Sequence, residues 1–448
     1  MGNKLLKINA LYLNNYRAFE DFTITFEDQL TVLVATNGKG KTAILDAVAV
    51  AFGTFVNATG LANGVSFHRE DVRRFKARDT NSNEMEELYP LTLKAKGSID
   101  NNENTEWMRE FKKPNSSLTT KDAKELVEYG EKIRNLVAHG ESTSLPLISY
   151  YGTGRLWAQK RATKNKKKSE TSRLSGYIDC LDAFSSYKAF TSWYEYICKS
   201  EFENYMEAYE NKDIHLLANE FKDIRKSLQE AVNQVIHSNS GWQDILYKQK
   251  AKSIIMEHQE CGELSVTQLS DGIRSMIGLV ADIAYRAIKL NPHLKNAPKE
   301  TSGIILIDEI DMHLHPKWQQ TVLTDMMKAF PKMQFIVTTH SPQVLSTVKR
   351  EQIRILGDNE VFTPSSHSFG EDSSVLLAEI MGISSLPPLE IVEKRKEYQR
   401  VIEDREYHTA HAIALREELV SNYGETSTFI MQTDMLIRKF EALKKVGK

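Results

Sequence analysis

Short stretches that alternate apolar and polar residues open the chain and predict β-strands. The stretches LKINALYLNNY (6–16), FTITFE (22–27) and LTVLVAT (30–36) are rich in apolar and β-branched residues and are bounded by turn-forming residues. The third is almost wholly apolar, as is typical of a central strand that is covered on both faces. Apolar residues at helical spacing follow directly, from Ile44 to Phe52. The pattern therefore predicts a strand, a loop and a helix in that order.

The remainder of the chain alternates between strand patterns and helix patterns. A hairpin is predicted at 89–98 and 105–111, and apolar residues at helical spacing predict helices at 121–139 and 270–290. The other predicted elements are strands at 145–151, 245–256, 303–307 and 334–338, and helices at 178–235, at 318–329 and beyond Pro388. We expect the strands at 245–256 to return to the first unit of the protein.

Composition narrows the class of protein. At 448 residues the chain is too long for one compact core, and two or three structural units are expected. With 58 Lys+Arg against 60 Asp+Glu it is not a globally basic nucleic-acid binder, although a local basic patch is compatible with this balance. No apolar run approaches the length of a membrane span, and no signal-peptide pattern opens the chain. The three cysteines lack CxxC spacing, so neither a zinc site nor a disulfide framework is indicated, and a reducing cytoplasm is expected.

The residues after the third strand have the composition of a phosphate-binding loop. They are Asn37, Gly38, Lys39, Gly40, Lys41 and Thr42. Glycines let backbone N–H groups turn toward a polyphosphate, and the N-terminus of the following helix adds the positive end of its dipole. Lys41 would reach the β- and γ-phosphates of ATP, and the Thr42 hydroxyl would bind Mg²⁺. The full pattern has glycine where this chain has Ala35, and alanine adopts a positive φ only at a cost, which leaves open a slow enzyme.

A second element is an apolar strand that ends in two acids. The sequence GIILIDE runs from Gly303 to Glu309, and ligands of parallel sheets bind at the carboxyl ends of the strands. Asp308 would hold Mg²⁺, directly or through water, and Glu309 would polarise the water that attacks the γ-phosphate. The combination of this strand with the upstream glycine loop favours a nucleotide site over a purely structural role.

Two further segments bring the number of candidate motifs to four. The segment QLSDGIRS (268–275) precedes the acid pair, and TTHS (338–341) ends the strand that follows it. With all four in this order, the chain resembles an ABC-type ATPase head of the SMC/RecF-like kind. The resemblance implies an α/β head whose mixed central sheet lies in two lobes, with an α-helical insertion between them and a helical C-terminal region. The implied ranges are 1–155 for the lobe with the phosphate-binding loop, 156–262 for the insertion, 263–368 for the second lobe and 369–448 for the C-terminal region.

The same resemblance assigns roles to individual residues. Ser270 and Gly272 lie in the signature motif, which in this family caps the γ-phosphate bound by a second subunit. Two copies should therefore sandwich two ATP molecules head to head. His340 matches the switch histidine that senses the γ-phosphate, and Asp311 lies where the D-loop of the family begins. Arg17 matches an N-terminal arginine that lies near the nucleotide phosphates in related heads.

Three longer stretches narrow the resemblance. The stretches IDEIDMHLHPKWQQ (307–320) and QFIVTTHSPQVL (334–345) resemble the bacterial "predicted ATP-binding" and OLD-like subgroup. Within that subgroup, LPLISYYGTGRLW (145–157) resembles the PtuA ATPases of Septu anti-phage systems and of related retron operons. Because those ATPases act beside an HNH endonuclease, the resemblance implies an HNH nuclease as a partner protein.

Several alternatives stay open. A RecF/SMC-like DNA-binding ATPase of DNA repair is the alternative function, whereas a self-contained OLD-type nuclease would need several strand-end carboxylates after His340. The basic run from Lys160 to Arg173 is either a solvated loop or a clamp on the phosphate backbone of DNA or RNA. Gln159 is the nearest candidate for the glutamine loop of the family. The spacing of His313 and His315 would suit a metal, but no third ligand lies nearby in the sequence.

Overall fold

The computed structural model describes residues 6–76, 85–100, 102–114, 121–154, 172–183, 188–211, 220–384 and 386–445. Two compact units follow one another along the chain, residues 1–381 and residues 382–448. Gln159 and the basic residues from Lys160 to Lys168 lie outside the described residues, so the predictions made for them stay predictions.

Strands and helices alternate along the first unit, and helices make up the second. The strands are β1 (Leu6–Tyr16), β2 (Phe19–Thr25), β3 (Leu30–Val34), β4 (Arg74–Phe75), β5 (Glu86–Glu87), β6 (Leu91–Ile99), β7 (Asn102–Phe111), β8 (Leu147–Tyr151), β9 (Gln243–Lys248), β10 (Ser253–His258), β11 (Gly262–Ser265), β12 (Gly303–Ile307), β13 (Met333–Thr338), β14 (Ile353–Leu356) and β15 (Val361–Phe362). The helices are α1 (Lys41–Ala58), α2 (Lys124–Ala138), α3 (Lys188–Asn211), α4 (Glu220–Ser240), α5 (Asp271–Leu290), α6 (Ala297–Glu300), α7 (Pro316–Gln319), α8 (Val322–Ala329), α9 (Pro342–Leu345), α10 (Ser373–Glu379), α11 (Glu390–Glu403), α12 (Ala410–Tyr423) and α13 (Thr428–Lys445).

The central sheet of the first unit has six strands in the order β15-β14-β3-β13-β12-β8. Five of them run parallel and β15 is antiparallel to β14, so the predicted mixed sheet is confirmed. Every residue of β3, β8, β12 and β13 is buried, which is typical of parallel strands covered on both faces. Because these strands are parallel, the loops after β3, β12 and β13 leave the sheet at one edge, and that edge gathers the predicted motifs.

Helix α1 packs between the central sheet and a second sheet, which is antiparallel and has the strand order β2-β1-β6-β7. Two side chains of β7 donate hydrogen bonds to the backbone of α1. The Trp107 indole donates to the Ala51 carbonyl at 3.0 Å, and Arg109 donates to the Val50 carbonyl at 2.8 Å. In the described part of the chain, α1 is the one helix long and apolar enough to pass as a membrane span, yet 78% of it is buried inside the protein. Its apolar character therefore matches its place in the core.

Residues 245–256 lie in the first unit as expected, but β9, β10 and β11 form a separate three-stranded antiparallel sheet there. Two predicted helices differ from the structure. The helix pattern at 178–235 is divided between α3 and α4, and the pattern at 318–329 is divided between α7 and α8. Alternation predicts that a strand forms but does not say which strand it pairs with, because neighbouring hairpin strands can satisfy each other's hydrogen bonds.

A buried ion pair connects α5 to β8. The Arg286 guanidinium donates to Asp282 Oδ2 at 2.7 Å within α5, and the Tyr151 hydroxyl at the end of β8 donates to the same oxygen at 2.8 Å. Arg286 also donates to the backbone carbonyls of Gly176 and Ile178. Burial is the largest single influence and disfavours the charged guanidinium, but the Asp282 carboxylate, together with the nearby Tyr151 and Cys180, outweighs it and raises the pKa of Arg286. Arg286 therefore keeps its charge in the core, and its contacts with Asp282, Gly176 and Ile178, with the Tyr151–Asp282 hydrogen bond, fix the helix against the sheet.

Replacement of Arg286 by Met should lower the free energy of unfolding by about 3–5 kcal/mol, because it leaves the Asp282 carboxylate buried without a cation. Urea unfolding of the full chain measures the effect. Lys124→Met is the matched control, since it removes the cation of an exposed i,i+4 pair with Glu128 and should cost about 1 kcal/mol or less. Equal costs for the two substitutions would contradict the assignment of a stabilising buried pair.

The second unit contains α11, α12 and α13, which confirms the predicted helical C-terminal region. Its small core is built from apolar residues of all three helices: Tyr398, Ile402, Ala412, Leu415, Leu419, Phe429 and Ile430. An ion pair between Arg416 of α12 and Asp434 of α13, with contacts of 2.8 and 3.2 Å, joins two of the helices at the edge of this core.

Candidate nucleotide-binding site

The loop between β3 and α1 has the backbone of a phosphate cradle. Gly38 and Gly40 adopt φ angles of 82° and 90°, the left-handed region that favours glycine. A Cβ on Gly40 would also lie 2.5 Å from the Phe19 ring, so this position has no room for a side chain. Ala35 is not among the residues with positive φ, and its carbonyl accepts a hydrogen bond from Lys41 Nζ at 2.9 Å. Alanine at the first position therefore does not strain the loop.

Asp308, directly after β12, lies beside the first turn of α1. Its backbone N–H donates to the Tyr151 carbonyl at 2.8 Å, which fixes the strand end. Asp308 Oδ2 accepts from the Thr42 hydroxyl at 2.8 Å, and Oδ1 accepts from the Thr338 hydroxyl at 2.6 Å. A carboxylate and a hydroxyl are hard oxygen ligands of the kind that Mg²⁺ binds beside substrate phosphates. These two side chains therefore fit the predicted metal position.

Glu309 is oriented by its backbone. It adopts a φ of 49°, which is rare for a residue with a side chain, and its N–H donates to the Thr338 hydroxyl at 2.7 Å. Thr338 thus binds both acids through one oxygen, donating to Asp308 and accepting from Glu309. A signal for this role is visible in the sequence, where Thr338 is the polar last residue of the otherwise apolar run FIVT, but the role itself was not predicted.

Lys41 lies among three carboxylates. Burial lowers the pKa of Lys41 below its ordinary value, while the negative charges of Asp308, Glu309 and Asp311 oppose that shift. The structure thus brings together the loop lysine, the predicted metal ligands, the predicted base and the first residue of the D-loop. A cation surrounded in this way can exchange its carboxylate neighbours for the phosphate oxygens of a nucleotide.

The signature segment lies at the start of α5. Ser270 occupies the N-cap position and is exposed, and among the described residues it makes no hydrogen bond to the phosphate-binding loop. Gly272 is buried, and a Cβ there would lie 2.2 Å from the His313 carbonyl oxygen. The signature segment therefore packs against the D-loop of its own chain and keeps Ser270 open to solvent.

The histidines occupy different surroundings. His340 is half-buried between Thr339 and Ser341, directly after β13. His315 accepts a hydrogen bond from the Lys317 N–H and caps α7, and His313 adopts a φ of 62°. In the described part of the chain no group of three or more His, Cys, Asp or Glu side chains is placed to hold a metal ion.

The remaining predicted nucleotide-binding residues lie around the loop. Arg17 donates to Asp46 Oδ2 at 2.6 Å and to Asp71 Oδ1 at 2.8 Å, and Asp46 on α1 also accepts from the Tyr150 hydroxyl at 2.9 Å. Asn37 is exposed, and Lys39 pairs with Asp358 in the turn before β15. Arg17 is thus held one helical turn from Thr42 by carboxylates, and its contact with nucleotide stays a prediction.

Arg173, at the end of the basic run, lies among the described residues and donates hydrogen bonds to backbone carbonyls. The Arg173 guanidinium donates to the carbonyls of Thr143 and Glu141 at 2.7 and 2.9 Å. Burial lowers the pKa of Arg173. This residue therefore satisfies loop carbonyls, and the prediction of a nucleic-acid contact now depends on Lys160 to Lys168.

The AAA domain family matches residues 10–260, more than half of the chain, and the chain belongs to this family. It is 28% identical to a protein named "Retron Vc95 probable ATPase" from Vibrio cholerae, over 90% of this chain and 84% of that protein. It is 41% identical to "Septu protein PtuA" of Bacillus mycoides over 92 residues, 20% of this chain and 12% of that protein. The SMC head domain of Thermotoga maritima aligns with 81% of this chain and 97% of its own, at 14% identity and a TM-score of 0.40.

The predicted class of protein is thereby confirmed. The chain is an ATPase similar to a probable retron ATPase and to the Septu protein PtuA, and its mixed central sheet, helical elements and helical C-terminal unit are those of the predicted fold class.

Proposed function

We propose that this chain is the ATP-binding and hydrolysing subunit of a bacterial anti-phage defence complex. It acts as a head-to-head dimer and controls an associated HNH-type nuclease. The observation that supports the catalytic part is the cluster of Lys41, Thr42, Asp308 and Glu309 at one edge of the central sheet. The similarity to retron and Septu ATPases supports the role in defence.

Each residue of the cluster has one task in hydrolysis. The backbone of the loop from Asn37 to Thr42 and the N-terminus of α1 bind the phosphates, and Lys41 neutralises charge on the β- and γ-phosphates. Thr42 and Asp308 would hold Mg²⁺, which when bound would supply positive charge that stabilises the charge developing on the phosphates.

The attack on the γ-phosphate depends on the strand ends. Glu309 orients the attacking water and takes up its proton, and His340 contacts the γ-phosphate. The Thr338 hydroxyl holds Asp308 and Glu309 in their relative positions. Because these groups are positioned before ATP binds, little rearrangement accompanies the chemical step.

A second copy completes the site. Ser270 is exposed at the N-terminus of α5, where a helix N-terminus and a hydroxyl suit the γ-phosphate of a nucleotide held by another copy. Two copies then enclose two ATP molecules, and removal of the γ-phosphate loosens the pair. This change of assembly is the signal that reaches the nuclease.

Co-purification tests the defence role. The chain is co-expressed with the genes that neighbour its own, and a tag on the ATPase should retain an HNH-type nuclease in a fixed molar ratio. Lys41→Ala is compared with Lys332→Ala, because Lys332 is an exposed lysine in the turn directly before β13 and has no assigned role at the nucleotide site. We expect nuclease activity to respond to ATP with Lys332→Ala but not with Lys41→Ala.

A different set of results in this experiment would favour the alternative function in DNA repair. Failure to retain the nuclease, together with ATP-dependent binding of the chain alone to bare DNA, would contradict the proposed defence role. That outcome would leave the assignment of the ATPase site intact, since the same loop and acids serve both functions.

A further inference from the structure

We propose that Gln319 is a positioning residue, which joins the loop at 311–314 to the segment at 339–341 and thereby places His340 for hydrolysis. This inference rests on the proposed function, because it concerns the rate of ATP hydrolysis at the same site. Gln319 is the last residue of α7 and touches neither the phosphate-binding loop nor the acid pair through any hydrogen bond in the described chain.

Both the nitrogen and the oxygen of the Gln319 side-chain amide form hydrogen bonds. Its Nε2 donates to the Leu314 carbonyl at 2.9 Å and lies 3.4 Å from the Asp311 carbonyl, while its Oε1 accepts from the Ser341 hydroxyl at 2.7 Å. The hydroxyl has one proton, and its other acceptor, Gln343 Oε1, lies farther away at 3.1 Å. One amide therefore bridges the D-loop and the residue that follows His340.

Thr339, the residue before His340, is also hydrogen-bonded to the 311–314 loop. The Thr339 hydroxyl donates to Asp311 Oδ1 at 2.5 Å and accepts from the Ser341 N–H at 3.0 Å. Thr339 is fully buried and Ser341 is 5% exposed, so water has little access to replace these bonds. His340 is thus flanked on both sides by residues bound to the 311–314 loop, and its position depends on that loop.

The chemistry of the bridge requires an amide. A glutamate would lack the N–H donor for the Leu314 carbonyl and would add a negative charge near Asp311. A methionine has similar length and volume but neither donor nor acceptor, so it removes the bridge without opening a cavity. Gln319→Met is therefore the informative substitution. Gln320→Met is its matched control, because Gln320 is the adjacent residue and is exposed.

The experiment measures steady-state ATP hydrolysis and thermal unfolding of the full chain. For Gln319→Met we expect kcat to fall about tenfold, with KM for ATP within about twofold of the parent value and an unfolding temperature only a few degrees lower, because the Ser341 hydroxyl and the Leu314 carbonyl lose a buried partner. Gln320→Met should match the parent in all three. The Ser341→Ala substitution should add little to Gln319→Met, since both remove the same hydrogen bond.

Three results would overturn the inference: an unchanged kcat in Gln319→Met, a parallel loss of kcat, affinity and stability, or full additivity with Ser341→Ala. His340→Ala separates this failure from failure of the proposed function. If His340→Ala is slow and Gln319→Met is not, the inference alone is wrong. If His340→Ala hydrolyses ATP like the parent, the assigned role of His340 is wrong, and the inference falls with it.

Discussion

Replacement of Glu309 by Gln should slow ATP hydrolysis by about 10²–10⁴-fold while ATP binding is retained. The amide keeps the size of the side chain but cannot take a proton from the attacking water. The backbone of this residue is fixed by the Thr338 hydroxyl and by a left-handed φ, so the substitution leaves the strand end in place. The nucleotide should therefore stay bound and uncleaved.

Single-turnover hydrolysis measures the rate, and light scattering measures the molar mass with and without ATP. In the proposed mechanism the Glu309→Gln chain accumulates as an ATP-bound pair, whereas the parent returns to its initial state after hydrolysis. Glu371→Gln is the matched control, because Glu371 is exposed and lies after the switch segment. If Glu309→Gln bound and released nucleotide as the parent does, the role of Glu309 as base would be wrong.

Replacement of Lys41 by Ala should weaken ATP binding by about 100-fold or more. Charge-assisted hydrogen bonds contribute about 1.5–3 kcal/mol each, and Lys41 is expected to make more than one to the phosphates. Titration with a fluorescent ATP analogue measures the affinity. Lys332→Ala should bind like the parent, and equal affinities of the Lys41→Ala chain and the parent would contradict the assigned site.

The affinity of the parent for ATP should also fall at alkaline pH. Burial lowers the pKa of Lys41 in the free protein, whereas bound phosphates would raise it. Linkage then requires the affinity to decrease as pH rises from the lower pKa of the free state toward the higher pKa of the bound state. The decline should therefore begin below the pH at which an ordinary lysine titrates, and it should be absent in Lys41→Ala.

The residues of the candidate site could be expected to lie close together, because they follow strands whose direction is predictable. Apolar runs ending in Asp308 and Thr338, and a glycine loop before Lys41, must meet if the strands are parallel and adjacent, and the structure places them so. Each of these residues can be recognised from its own short stretch of sequence, and the order of strands in the sheet brings them together. For that reason the class of protein followed from the order of the motifs.

The supporting contacts could not be predicted in the same way. Gln319 binds Ser341 across a gap of 22 residues, and Tyr151 binds Asp282 across 131. Side-chain partners at such separations depend on how α5, α7 and the loops pack on the sheet, and apolar periodicity carries no information about this packing. The separate sheet of β9, β10 and β11 was missed for the same reason, since pairing is decided between strands rather than within one.

The alanine at the head of the phosphate-binding loop bears on how similar chains are recognised. At position 35 the protein uses a carbonyl oxygen, which any amino acid supplies, and a small buried side chain. At positions 38 and 40 a left-handed φ favours glycine, and at position 40 the Phe19 ring also leaves no room for a side chain. A search pattern that insists on glycine at all three positions would pass over functional members of this group. A pattern that keeps Gly38 and Gly40 and admits alanine as well as glycine at the first position describes the geometric requirement of the loop.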